Sequence, residues 1–280
     1  MSTLASSPGA TRARASSARS AAAPGLWTPA LSLWQREIVR FYRQKARVVG
    51  VIASPLLFWI VLGSGFAHSF TSGATSSGYL SYFFPGSVVM IVLFTAIFSM
   101  MSLIADRNEG FLLSVLAAPV SRSAIVLGKV LGGTTLAAIQ GILFLVFLPL
   151  IGIHATAASI LISCGVISLI SFELTALGFA IAWPMDSPQA FHAVVNIILL
   201  PLWMLSGSLF PADRASRWLG LLMHLNPLSY GVDALRNALA PSEPTLFPLA
   251  TNLTITAGVC ALLVAASWAI VNRRTHKPAA

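Results

Sequence analysis

The sequence predicts an all-α, polytopic integral membrane protein with six transmembrane helices, and three observations predict it. Of 280 residues, 56% are hydrophobic and 9% charged, with a mean hydropathy of +0.83. Soluble domains average about 25% charged residues and keep a polar shell. Six long apolar segments recur along the chain. The shortest, 48–66, makes a helix of about 28 Å at about 1.5 Å per residue, close to a hydrocarbon core of about 30 Å. Finally, the basic residues gather beside alternate ends of these segments rather than over one folded surface.

Residues 1–30 are rich in Ala, Ser, Arg, Pro and Gly. No apolar run follows Arg12, Arg14 and Arg19 there, so the segment lacks the centre of a signal peptide and reads as a disordered cytoplasmic tail. Over 31–47, Leu31, Trp34, Ile38 and Phe41 recur at helical spacing, and Arg36, Arg40 and Arg43 do the same on the opposite side. This amphipathic helix suits either the headgroup plane or the surface of a soluble partner, and the span that follows at once favours the membrane. The region 48–272 then carries spans at 48–66, 83–105, 130–153, 158–182, 191–210 and 246–271. Residues 273–280 form a second cytoplasmic tail.

With the N-terminus inside, all but Arg214, Arg217 and Arg236 of the 17 Lys and Arg fall on the cytoplasmic side, which fixes the orientation. Both termini are then cytoplasmic. The net charge of +9 and pI of about 10.6 belong to this membrane face and not to nucleic-acid binding. Cys164 and Cys260 lie in apolar runs and read as small buried hydrophobes, not as a disulfide or metal ligands.

The inner loop 106–129 is long enough to hold structure. It opens on polar residues, continues as a short amphipathic helix from about Glu109 to Ala117, stops at Ala118-Pro119, and lets Ser121 cap the next helix. Such a knob between two spans can receive force from a soluble partner. The outer connection predicts two short amphipathic helices over 211–236, broken at Asn226-Pro227 and dipping into the outer interface. Glu173 is the one acidic residue inside a span. It either contacts substrate or pairs with a polar group of another helix. Gly133, Ala137 and Gly141 line one helix face, for packing within the chain or at a dimer seam. No phosphate-cradling loop is present: Gly128-Lys129 lacks the required neighbours. No catalytic constellation or metal-ligand cluster stands out either, so the chain carries no covalent chemistry of its own.

Three blocks carry a resemblance. The first runs from Arg107 through Gly110-Phe111 to Ala118-Pro119-Val120-Ser121-Arg122 and Val126-Leu127-Gly128-Lys129. The second is Leu205-Ser206-Gly207-Ser208-Leu209-Phe210-Pro211. The third is Leu225-Asn226-Pro227-Leu228-Ser229-Tyr230-Gly231-Val232-Asp233-Ala234-Leu235-Arg236. In their order among six spans, over roughly 31–272, they resemble the permease subunit of ABC type-2 exporters, in the branch of daunorubicin-resistance and nodulation lipo-oligosaccharide exporters. The resemblance implies a pair of permease chains, a homodimer or a pair with a paralogous permease, above two cytoplasmic ABC ATPase subunits. ATP and Mg belong to the ATPase, and this chain binds no cofactor.

The resemblance assigns Arg107, Glu109, Leu112, Leu113, Leu116 and Pro119 to coupling, with the three leucines filling an ATPase groove and the two charges pairing with its rim. Trp34, Arg36, Arg40 and Phe41 belong to the interface helix. Asn226, Pro227 and Tyr230 belong to the outer re-entrant helices that close the external end. The expected cargo is amphipathic: a drug, a lipid or a lipid-linked glycan, moved out of the cytoplasm or inner leaflet of an inner membrane. Scarce intramembrane charge argues against a small ion. A secondary transporter, whose folds often show inverted repeats that this sequence lacks, and a non-transporting assembly factor are the alternative readings.

Overall fold

The computed structural model describes residues 25–66, 79–153, 155–211, 215–240 and 245–272. Most of the first expected tail, the second tail, and Arg214 lie outside these residues. The described chain is helical throughout. Helix α1 spans Trp27–Arg43 and α2 spans Lys45–Phe66. The expected tail to residue 30 is therefore too long. Pro29 stands in the first turn of α1, where its missing N–H costs nothing. The interface helix ends at Arg43 and not at Arg47, because Gln44 leaves helical geometry (φ −93°, ψ 70°) and α2 starts directly after it.

Helix α3 (Tyr79–Ser99) continues after a one-residue turn into α4 (Met101–Asn108), and α5 (Phe111–Ala117) follows. Helix α6 (Arg122–Phe144) tightens into a 3-10 stretch to Ile151. Then come α7 (Ala157–Ala182), α8 (Pro188–Trp203) with a π turn over Met204–Ser208, α9 (Arg217–Leu225), α10 (Pro227–Leu239) and α11 (Leu249–Asn272). Among the described residues, five helices are long and apolar enough to cross a membrane: 79–108, 122–151, 157–182, 188–208 and 249–272. The first expected span falls in α2, of 22 residues, in which the apolar stretch among the described residues alone is Pro55–Gly65.

Helix α3 is the axis of the bundle, buried on nearly every side between α2, α6, α7 and α10. Helix α7 packs against α3, α6, α10 and α11. Gly133, Ala137 and Gly141 face this interior: a Cβ on Gly141 would lie 2.7 Å from Val92 and 2.8 Å from Ile167. The small-residue face thus packs α6 against α3 and α7 within one chain. Large exposed apolar side chains are most numerous on α2 and recur on α6 and α8, surfaces expected to meet lipid.

The connection expected to be external does form two helices, α9 and α10. Asn226 separates them, accepting a 3.0 Å hydrogen bond from Leu228 N through its side chain, and Pro227 opens α10. The neighbouring π turn frees carbonyls that α-helix would have used, and Gly207 adopts φ +75° there. Side chains answer those carbonyls. Asn226 donates to Leu202 O (2.6 Å), Ser229 to Leu205 O (3.3 Å), and both Tyr82 (2.7 Å) and Arg236 (3.0 Å) to Gly207 O. Irregular backbone within a membrane protein is tolerated where protein satisfies it in this way.

Candidate functional site

The candidate site lies at the end of the bundle where α1, α4, α5 and the start of α6 meet. Helix α1 lies on α6 with Ala30, Leu33, Glu37 and Phe41 buried. Glycine makes this approach possible: a Cβ on Gly128 would lie 2.7 Å from Ala30 O, and one on Gly132 would lie 2.8 Å from Glu37 Cβ. The buried face is one position removed from the expected stripe, and Leu31 is exposed. Trp34 is half-buried and donates to Thr135 Oγ1 at 3.0 Å. Phe41 is buried as expected of a packed face.

A charge cluster fills the junction. Asp106, the hub, has no exposure to solvent. It accepts 2.7 Å hydrogen bonds from both terminal nitrogens of Arg36 and a 2.8 Å bond from Arg40. Lys129, equally buried, also donates to Asp106, and reaches Glu37 Oε1 at 2.6 Å and Ser102 Oγ at 3.2 Å. At the rim Arg40 lies 3.5 Å from Glu109. Three cations thus meet three carboxylates. Buried charge is costly unless paired with good geometry and further hydrogen bonds, and this cluster supplies both. The Asp106 hydrogen bonds hold the Arg36 guanidinium above its ordinary pKa, against the opposing effect of burial. Arg36 and Arg40, expected on a solvated or headgroup-facing side, thus also meet an acid delivered from α4 while staying partly exposed.

Arg36 also lies 3.8 Å above the centre of the Phe111 ring, which joins α1 to the first residue of α5. Gly110, at φ +76°, makes the sharp turn between α4 and α5. The short helix therefore starts at Phe111, two residues later than expected. Ala118 is extended before Pro119, which ends α5. Ser121 Oγ accepts from Ala124 N at 3.3 Å and caps α6. Between these stops α5 turns Leu112 inward, 4% exposed, and leaves Leu113 and Leu116 outward, 67% and 40% exposed. Leu112 is a core residue here and not part of the outward face, because Phe111 and Leu112 anchor the helix to the bundle. Glu109 and Pro119 are exposed.

Arg107 is not a free rim charge. It donates to Met185 O at 2.8 Å and to Trp183 O, sits 3.6 Å from Asp186, and lies over the Trp183 ring. The end of α7 leaves carbonyls without helical partners, and Arg107 takes them. It thereby ties the approach to α5 to the turn between α7 and α8.

The remaining expected residues lie elsewhere. Glu173 is buried in the middle of α7, and among the described residues it has neither a hydrogen-bond nor an ion-pair partner. Asn226 and Pro227 occupy the break between α9 and α10 described above. Tyr230 donates to His224 O at 2.8 Å and stacks on Phe247. Sequence reasoning missed Glu37, Asp106 and Lys129 as a set. One signal was available: Glu37 falls at helical spacing from Leu33 and Phe41, an acid on an apolar stripe. It also missed Asp233, which accepts from Leu246 N, Phe247 N and Asn252 and so fastens α10 to α11.

Known proteins are similar to this chain over most of its length. The ABC-2 type transporter family model matches residues 29–240. A chain named ycf38 and described as a transport permease, from Cyanophora paradoxa, is 28% identical over 207 residues, covering 73% of this chain and 71% of that one. The daunorubicin resistance ABC transporter permease protein DrrB1 of Streptomyces coeruleorubidus is 22% identical over 253 residues, 87% of this chain and 86% of its own length. Nodulation protein J of Neorhizobium galegae is 25% identical over 219 residues, 75% and 80% respectively. The matched stretch contains α1, the charge cluster, α5 and both helices of the outer connection, and the chain belongs to the ABC-2 type transporter family, as a membrane permease.

Proposed function

We propose that this permease is the membrane half of an ATP-driven exporter of amphipathic substrates, docked to a cytoplasmic ABC ATPase through α5. One observation carries the reading. A short helix, stopped by Gly110 and Pro119 and anchored by Leu112, holds Leu113 and Leu116 outward beside a cluster that joins it to α1, α4 and α6. A motor that pushes α5 therefore pushes three other elements with it. ATP and Mg reside on the ATPase, since the sequence lacks a phosphate loop.

In this reading α2 is the first of six spans, both termini are cytoplasmic in an inner membrane, and two permease chains pair. Helices α9 and α10 close the external end. The relatives named for daunorubicin resistance and for nodulation support a drug, lipid or lipid-linked glycan as cargo. Reconstitution tests this. Vesicles holding permease and ATPase should transport candidate drugs and lipids only with hydrolysable ATP. Full transport by the permease alone under a proton gradient would overturn the proposal in favour of a secondary carrier.

A further inference from the structure

The segment that carries α5 has an arginine on either side, and each arginine grips the end of a different helix. Before α5, Arg107 donates to the carbonyls of Trp183 and Met185, just past α7. After it, Arg122 donates to Val271 O in the last turn of α11 at 3.0 Å. The last carbonyls of a helix lack partners within it and favour a cation. Beside Arg122, Trp268 of α11 donates to Ser123 Oγ at 3.0 Å. Arg122 is itself exposed, but Val271 is 2% exposed and belongs to the core, so the last turn of α11 is seated as well as gripped. Only Ala118-Pro119-Val120-Ser121 separates α5 from Arg122, and Pro119 stiffens that link.

The two gripped helices are joined to each other. They pack together, and Ser267 Oγ of α11 donates to Ala176 O of α7 at 3.1 Å. Their last turns both lie beside the arginines that flank α5, so they run in the same direction. Both also bear on α10. Asn252, closed to solvent in the first turn of α11, donates to Asp233 at 2.8 Å. A Cβ on Gly231 would lie 3.0 Å from Ile170 of α7. Helix α10 in turn holds the π turn through Arg236 and Gly207 O. Asn252 and Val271 stand about 28 Å apart at about 1.5 Å per residue.

We propose that Arg122 is a positioning residue for transport: it passes the movement of α5 to α11, which carries it, braced by α7, to α10. The inference rests on the reading that α5 receives the ATPase. A helix transmits a displacement along its axis only where both of its ends are fixed to what they move. Helix α11 meets that condition through Arg122 and Trp268 at one end and Asn252 at the other. The charge cluster offers no equal route. It ties α5 to α1, α4 and α6, whereas α10 packs chiefly on α7, α11 and the π turn. Helix α3 also touches α10, but it is enclosed on nearly every side and is the least free to move.

Permease and ATPase reconstituted together in vesicles test it, with Arg122→Ala, Arg122→Lys, Asn252→Ala and Leu113→Ala. In wild type, ATP with vanadate should change deuterium uptake over Pro227–Leu239. Arg122→Ala and Asn252→Ala, at opposite ends of α11, should each shrink that change at least about fivefold, the lower end of coupling between distant sites. ATPase copurification and ATP hydrolysis should stay at wild-type level in both. Arg122→Lys, which can still donate to Val271 O, should restore the change. A wild type whose α10 ignores nucleotide would overturn the proposal. So would loss of copurification in step with the loss of response in both alanine variants, which would mark a merely structural role. A full α10 response in Arg122→Ala and Asn252→Ala, beside a Leu113→Ala that no longer copurifies, would overturn the proposal and leave the docking of α5 intact. A Leu113→Ala that copurifies like wild type would instead overturn the docking reading, and the proposal with it.

Discussion

Asp106 receives both terminal nitrogens of Arg36 at 2.7 Å from a position closed to solvent. The bond joins α1 to α4, and Lys129 extends it to α6 through Asp106 and Glu37. Removing one member leaves buried charge on the others only partly compensated, so Asp106→Ala and Lys129→Met should each destabilise the protein by up to about 3–5 kcal/mol. Glu37→Leu combined with Lys129→Met should cost less than the sum of the singles by about 0.5–3 kcal/mol, as contacting residues couple. Denaturant unfolding in detergent measures all four variants. Single variants within about 0.5 kcal/mol of wild type would mean the cluster holds nothing together.

The leucines of α5 should divide by function. Leu112→Ala, a truncation in the core, should lower stability by about 2–5 kcal/mol. Leu113→Ala and Leu116→Ala should leave stability near wild type, yet weaken ATPase association by more than about 1 kcal/mol each, as interface anchors do. Unfolding curves and copurification, scored on the same preparations, separate the two effects. Outer leucines that bind the ATPase like wild type would move the contact off α5.

Arg107 should behave as a strut. Its bonds to the carbonyls of Trp183 and Met185 lie within the chain, and charged hydrogen bonds contribute about 1.5–3 kcal/mol. Arg107→Ala should therefore speed hydrogen exchange over 183–187, and weaken ATPase association less than Leu113→Ala does. The reverse ranking would restore Arg107 to the partner interface.

Glu173→Gln keeps the shape of a buried carboxyl and removes its ionisation. Transport should fall while expression and ATPase association stay normal. Unchanged transport across the tested substrates would assign Glu173 to packing alone.

Orientation is open to cysteine labelling of intact cells. Single cysteines at Ser72, Ala155 and Ser242 should react with an impermeant reagent, and those at Ser121 and Ser187 should not. Reaction at Ser121 would invert the topology drawn from the basic residues.

The sequence made the long helices legible because apolar length is a property of consecutive residues. The limits of α7, Ala157–Ala182, differ from the expected 158–182 by one residue. The outer break was legible for a similar local reason, since Pro cannot continue a helix and Asn caps the next one. The charge cluster was hidden because its pairs are distant in sequence, Glu37 and Lys129 by 92 residues. Periodicity places Arg36 and Arg40 on one face, but it cannot tell a headgroup from an aspartate carried in by α4. The same limit applies to α5, where spacing groups three leucines and only the packed bundle decides that Leu112 turns inward.

The separation between α1 and its partners also bears on how the protein is made. Arg36 leaves the ribosome 70 residues before Asp106, and Glu37 leaves it 92 residues before Lys129. Throughout that interval α1 has no carboxylate from α4 and no lysine from α6, and α2 and α3 are made first. Until then α1 is a basic amphipathic helix without these partners. Only α4 and α6 bring Asp106 and Lys129 to it, so the cluster can close only once the first half of the chain has been made.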